Sequence, residues 1–310
     1  MVSAHNVTTR RDIVKPLQYV GETDTVTTPA NFGTTPSSAT FTLVGNNVEI
    51  NPQPDVQHAD IAVLGSEALI AGVKTGSLYT FSFRYNPINL NLFKHIYNAS
   101  GGGAASPDES LSFTYSYRLG GTEYFRHIRG FRPTSATLSV QRGVWEADIS
   151  GIAKDITIPN TVDGNGGTPV YQSSETTTDP ITHLDSGASP FTWNSVTYGE
   201  RRFTMTCTRN LSVMDVNGET DIVYTKPADV SYSFSADVFS GTASNETALE
   251  SDFENKTARA ASYVFNSTGP VTLTFTNALL TAYSQVPSAG NTDALIESIS
   301  ARAESVTDLT

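Results

Sequence analysis

The reactive side chains of this 310-residue chain are few and scattered, and their spacing decides which chemistry they can perform. Histidines stand at positions 5, 58, 95, 127 and 183. No two share the H-x-H or H-x-x-x-H spacing that sets imidazoles on one face of a strand or helix, so no zinc ligand pair is expected. His183-Leu184-Asp185-Ser186 brings together the residue types of a serine hydrolase. Adjacent residues do not converge as a triad must, and no G-x-S-x-G elbow occurs, so this stretch reads as a polar loop. Asp163-Gly164-Asn165-Gly166-Gly167 lacks the D-x-D-x-D-G register and closing glutamate of a calcium loop and reads as a turn. The glycine runs at 101–103 and 166–167 lack the G-K-[ST] ending of a phosphate cradle. The single Cys207 excludes an internal disulfide and a cysteine-built zinc site; within FTMTCTRN it reads as a small buried hydrophobe. No catalytic, cofactor-binding or metal-binding residue is assigned, and an enzyme is not expected.

One concentration of charge stands out. Arg118, Arg126, Arg129 and Arg132, with His127, gather base in an otherwise acidic chain. Such a patch could dock against acidic residues of a neighbouring copy, or form a solvated strand face with local ion pairs. Only Tyr124 and Phe125 accompany it, too few aromatics for a nucleic-acid stacking series. The formal net charge of −12 argues against gripping DNA or anionic membranes. No apolar run approaches a membrane span, and MVSAHNVTTRRDIVK has no apolar core of a signal peptide, so a soluble protein outside the secretory route is expected.

The elements that must carry these residues are mostly strands. Only 16% of residues are charged, and Ser, Thr, Asn and Gly abound, which suits short strands and turns better than helices. Residues 1–40 carry little periodicity and read as an extended arm. Aromatic residues at alternate positions predict strands at Leu78–Tyr85 and Val230–Phe239, each with one buried face. Leu111–Arg118 and Glu123–Ile128 flank Leu119-Gly120-Gly121-Thr122, a predicted hairpin; Ala136–Gln141 and Val144–Ile152 flank Arg142-Gly143, a second. Further strands are predicted from Phe203, over Val271–Asn277 and over Ala294–Ala303. Asn86-Pro87 predicts a helix over 87–98, and the capping box at Thr247–Glu250 opens another over 247–260. Residues 156–192, rich in Gly, Ser, Thr and Pro, read as a linker or long loop.

The two halves also rhyme. LYTFSFRY answers VSYSFSADVF, and ADISGIAKD answers SISARAESV, at offsets of 150 to 160 residues, which predicts an internal duplication. The expected domains are 41–155 and 193–310.

The stretch LSFTYSYRLGGTEYFRHIRGFRPTSATLSVQRGVWEADISGIAKDI resembles the tail tube proteins of long-tailed phages and tailed archaeal viruses. The resemblance rests on Arg129-Gly130, on Ala136-Thr137-Leu138-Ser139-Val140, and on Gly151 with Lys154. In the second half it rests on Phe203-Thr204-Met205-Thr206 leading into Arg209-Asn210-Leu211, on VSYSFSADVF, and on the closing TLTFTN and ALIESISARAES strands. It spans residues 75–310, and the family's asparagine-rich strand is thinned to Asn210.

That resemblance implies a mainly β protein of two tandem tail-tube-type sandwich or barrel domains, each with one short flanking helix. It implies a structural virion protein, made in the host cytoplasm, that stacks as rings into a tail tube for genome passage. Its partners would be copies of itself and other tail proteins (tape measure, terminator, baseplate); no cofactor is implied, and DNA would pass without specific binding. Three copies with pseudo-sixfold symmetry are expected, with six copies as the alternative. A lumen that avoids gripping phosphate would be acidic, and Glu146, Asp148, Asp237, Glu297 and Glu304 are its candidates, although alternation keeps them from all sharing one face. The alternative function is a β-sandwich surface or fibre protein that binds a glycan or receptor.

Overall fold

Residues that alternate between apolar and small polar types form most of the chain, and they fold as long antiparallel strands. The computed structural model describes residues 12–22, 31–62, 69–95, 109–141, 143–157, 170–171, 178–214, 224–239, 243–266, 271–286 and 296–309. The first strands are β1 (Asp12–Gly21), β2 (Thr42–Leu43), β3 (Asn46–Ala62), β4 (Leu69–Asn86), β5 (Leu111–Leu119), β6 (Thr122–Val140), β7 (Glu146–Ala153) and β8 (Asp155–Ile156), with helix α1 (Asn91–Lys94) after β4. Then come β9 (Phe191–Trp193), β10 (Val196–Met214), β11 (Tyr224–Phe239), helix α2 (Ala243–Glu254), β12 (Arg259–Asn266), β13 (Val271–Val286), β14 (Ile296–Ala303) and β15 (Ser305–Leu309).

The protein is mainly β, with a closed six-stranded barrel and outer strands. The barrel runs β10-β11-β14-β13-β12-β9 and closes where β9 returns to β10. Its interior holds Phe203, Phe234, Tyr263 and Phe275, all buried; the Phe203 and Tyr263 rings stack 4.0 Å apart, and those of Phe234 and Phe275 lie 4.5 Å apart. Helix α2 lies along β13 and buries Leu249, and its Asp252 accepts hydrogen bonds from Trp193 and Arg259. The first half lays its strands in the order β2-β1-β5-β6-β7-β4-β3, with only Val44 and Gly45 between β2 and β3.

Strand β6 joins the halves. Its first part, to Phe131, pairs with β5; its last part lies between β7 and β10. Sequence spacing predicts two strands here with a break between them. The chain instead bends within one 19-residue strand, at Gly130 in the left-handed region (φ 62°) and at an irregularity between Pro133 and Ser135. A Cβ at position 130 would stand 2.7 Å from the Lys154 side chain, so the bend needs glycine. At that irregularity Thr134 Oγ1 donates to the Ser150 carbonyl at 3.2 Å. The pairing of β13 with β14 has one too, between Leu280 and Ala282, where Thr281 Oγ1 donates to the Ser300 carbonyl at 3.2 Å.

Other expectations are corrected or sharpened. The Leu119–Thr122 hairpin forms, with Gly120 and Gly121 both at positive φ, as a two-residue turn of this kind requires. The helix expected over 87–98 shrinks to Asn91–Lys94: Asn89 Oδ1 takes the Asn91 N–H, a local bond that competes with helical pairing, and residues 96–98 lie outside the described residues. The second helix spans Ala243–Glu254, so Thr247 is interior to it, and Lys256 at φ 52° turns the chain away soon after its end. Within the segment read as a linker, Ile181 and Ser186 are buried and β9 closes the barrel. Residues 158–169, with the Asp163–Gly167 turn, lie outside the described residues.

The expected N-terminal arm is also partly a packed strand. β1 pairs with β5 and buries Leu17 and Tyr19. The missed signal lies in β5 itself, whose serines and threonines face buried partners on the side opposite Leu111, Phe113 and Tyr115. There the buried Glu22 carboxylate accepts hydrogen bonds from Ser110 and Ser112 and from the backbone N–H groups of Gly33 and Gly130. Burial pushes this carboxyl up, against the four bonds that favour its charge.

Two outcomes follow from this packing. Phe203→Ala opens a cavity in the barrel beside the strand join, and should lower unfolding free energy by about 3–5 kcal/mol in denaturant titrations. Glu200 on β10 is pushed up to about 6, by burial first, against a hydrogen bond from Tyr263 and the His183 field, with Asp237 adding to the rise. The folded state therefore holds this proton more tightly than the unfolded chain, and stability should fall as pH rises from about 4.5 through about 6. In melting curves across that window, Glu200→Gln should remove this part of the fall.

Candidate assembly surface

Eight strands run as successive antiparallel neighbours: β3-β4-β7-β6-β10-β11-β14-β13. One face of this sheet covers the core with Phe81, Phe83, Ile149, Leu138, Met205, Phe234 and Ile299, all buried. Strand alternation puts the residues between them on the opposite face. Those residues are mostly hydroxyl-bearing. Reading across the register, Ser82, Ser150, Ser135, Thr208 and Ser231 form one row. Glu49, Arg84, Asp148, Thr137, Thr206, Ser233 and Arg302 form the next. Glu146, Ser139, Thr204, Ser235 and Ser300 form a third, and Arg202, Asp237, Ser298 and Ser284 a fourth.

Acid and base stand side by side at two places on this face. Arg84 reaches both Glu146 and Asp148 at 3.6 Å, and it lies directly opposite Glu49. Asp237 accepts a 2.7 Å hydrogen bond from Ser298 and lies opposite Arg202. The two cross-strand pairs, Glu49 with Arg84 and Arg202 with Asp237, carry opposite signs in reversed order.

Of the acids expected along a lumen, Glu146, Asp148 and Asp237 share this face. Glu297 does not: it is fully buried inside the barrel and accepts a 2.8 Å hydrogen bond from the Tyr283 hydroxyl. Glu304 stands exposed at the step from β14 to β15, bound by Asn277 at 2.6 Å. Sequence reading missed the arginines Arg84, Arg202 and Arg302, which nearly balance the acids of the described face. It missed the hydroxyl rows too, although Ser231, Ser233 and Ser235 alternate plainly with the aromatic positions that drew attention.

The arginine cluster does not form one surface. Arg118 is exposed, opposite Glu123 on the paired strand. Burial works against the charge of Glu123, but hydrogen bonds from Lys15 and Ser116, with the Lys15 and Arg118 charges, hold its carboxyl below the usual range. Arg126 is half-buried and donates to the Thr157 carbonyl at 3.2 Å, and Arg129 is half-buried opposite Asp155. Arg132 is 1% exposed, its guanidinium 5.7 Å from the Phe32 ring and 5.3 Å from that of Tyr224. Its place is therefore between an N-terminal segment and the β10–β11 ribbon, where it cannot meet a neighbouring copy.

His183, Asp185 and Ser186 turn to separate partners. His183 Nδ1 accepts the Gly143 N–H, Asp185 caps Thr182, and Ser186 donates to the Phe265 carbonyl. Cys207 is buried in β10. Among the described residues no three His, Cys, Asp or Glu side chains group as metal ligands.

Compared with known protein families and with curated proteins, the chain finds no match.

Two edges of the eight-stranded sheet are open. Among the described residues β3 pairs with β4 alone, and the segment of β13 from Leu279 to Val286 carries β14 on one side and no strand on the other. Because Arg132 lies inside the chain, Arg132→Ala should act on folding and not on association. It should lower the unfolding midpoint measurably while leaving the mass distribution in solution unchanged.

Proposed function

We propose that this chain assembles head to tail with copies of itself into rings, and that the rings stack into the tail tube of a virion. The observation that carries this reading is the internal join. β6 receives β10 along six residue pairs, from Val140 with Phe203 to Ser135 with Thr208. Among the described residues the corresponding edge of β13 carries no strand, and neither does the outer edge of β3, the strand that corresponds to β10.

That correspondence follows the pairing order. In the first half β3 pairs β4, β4 pairs β7, and β7 pairs β6; in the second β10 pairs β11, β11 pairs β14, and β14 pairs β13. The matching Thr134 and Thr281 bonds fix the alignment of Ser150 with Ser300. On this reading the chain is two tandem tail-tube-type units, each with a short helix after its second long strand (α1 and α2). A link between β13 of one copy and β3 of the next repeats the β6–β10 join. Eight is an even number, so the incoming β3 runs antiparallel to β13 and the pattern continues unbroken.

Three copies then supply six units and twenty-four strands. At about 4.8 Å between strands and a tilt of about 35°, such a barrel measures about 45 Å across its backbone. A threefold ring with pseudo-sixfold symmetry is the form proposed, and six copies of the whole chain would double the strands. The face opposite the core would line the channel. Hydroxyl rows and paired charges offer a passing polyanion few sites of net attraction, which suits DNA in transit without specific binding. Arg118 is the exposed member of the arginine cluster left to meet a neighbour. Other tail proteins would meet the tube at its ends.

Purified chain at rising concentration should give annular particles or tubes in negative-stain images, and isolated rings should weigh three chains by native mass spectrometry. A particle that stays monomeric under all conditions would sink the reading, and rings of six chains would replace the trimer.

A further inference from the structure

The two open edges differ in one chemical respect. Pro52 and Pro54 lie in β3, opposite Phe81 and Tyr79 of β4. A proline has no N–H, and within a sheet its nitrogen faces away from the strand it pairs with. Positions two apart present their backbone polar groups on the same side, so both proline nitrogens face the open edge. The β3 edge therefore offers the carbonyls of 52 and 54 but no donors there. The open segment of β13, Leu279–Val286, contains no proline.

Resting on the head-to-tail reading above, we propose that Pro52 and Pro54 set the polarity of association: β3 accepts a β13 edge from a second copy and refuses another β3. Two β3 edges paired together lose four N–H donors, and registers that oppose the prolines set each proline carbonyl against a ring nitrogen with no hydrogen to give. A β3–β13 pair loses two, and the β13 strand supplies its own N–H groups to the proline carbonyls. The register follows from the internal join. Leu138 with Met205 and Ala136 with Cys207 correspond to Gln285 with Pro52 and Tyr283 with Pro54. Between them Thr137 with Thr206 corresponds to Ser284 with Gln53. The proline positions are the hydrogen-bonding ones, so the Gln53–Ser284 pair is the closer, non-bonded type with Cα atoms about 4.5 Å apart, within disulfide reach.

Oxidative cross-linking tests this directly, since the native Cys207 is buried. The Gln53→Cys, Ser284→Cys double variant should form covalent oligomers that close at one size on a non-reducing gel. Gln53→Cys alone should form no disulfide dimer. Adding Pro52→Val and Pro54→Val to Gln53→Cys should raise the dimer at least about tenfold, because four donors return to the β3–β3 pair. A Gln53→Cys dimer with both prolines present, or no gain from replacing them, overturns the inference. Particles that assemble in micrographs while the double variant stays uncross-linked overturn the register and leave the tube reading standing. A double variant that remains monomeric, in gels and in micrographs, overturns both.

Discussion

Backbone pairing across the join of β6 and β10 is the constraint on which the rest of this molecule depends. A strand inside a sheet must find partners for its N–H and C=O groups on both sides. β6 finds them in β5 and β8 along its first part, then in β7 and β10 along its last. One bend, at Gly130 and Pro133, lets a single strand do both. Without it the barrel of the second half would be a separate body, and the eight-strand face would be interrupted at its centre. The hydroxyl rows, the paired charges and the two open edges all inherit their geometry from that join.

The fold was legible where one face of a strand is buried and the other is not. Alternation in LYTFSFRY and VSYSFSADVF marked strands correctly, and the glycine pair at 120–121 marked a hairpin. It failed where burial is two-sided or where a bend mimics an end. β1 buries both of its faces, with Leu17 and Tyr19 on one and Gln18 on the other, so it showed no periodic signal although its partner β5 did. β6 contains a glycine and a proline that usually punctuate a strand, yet the irregularity absorbs both. Of the candidate site, the acids were legible as types but not as a set. Glu297 and Ser298 are adjacent in sequence and opposite in orientation, and only the burial of Ile299 and Ala301 tells which faces the barrel interior.

Charge belongs to faces as well as to whole chains. A net charge of −12 describes the whole chain, whereas among the described side chains of the eight-strand face Glu49, Glu146, Asp148 and Asp237 stand with Arg84, Arg202 and Arg302. Neutrality reached by pairing differs physically from a sparse surface. Arg84 and Arg202 are held beside carboxylates and so present little free field beyond about a Debye length. Hydroxyls supply the remaining polar area, bonding water without fixing an ion.

The rows of that face also have a slope. One row enters at Glu49 on β3 and leaves at Thr206 on β10, four strands later. In the alignment of the halves, Thr206 corresponds to Gln53, four residues further along the strand. In a barrel closed by the proposed pairing, each row would climb four residues for every four strands, the tilt of about 35° expected of such closures. A full circuit of twenty-four strands would climb about 80 Å at 3.4 Å per residue, far more than the height of these strands. No row could then close on itself within one ring; each would be handed to the ring above. The bore would carry a set of parallel helical stripes, like rifling, whose continuity depends on how each ring is rotated against the next.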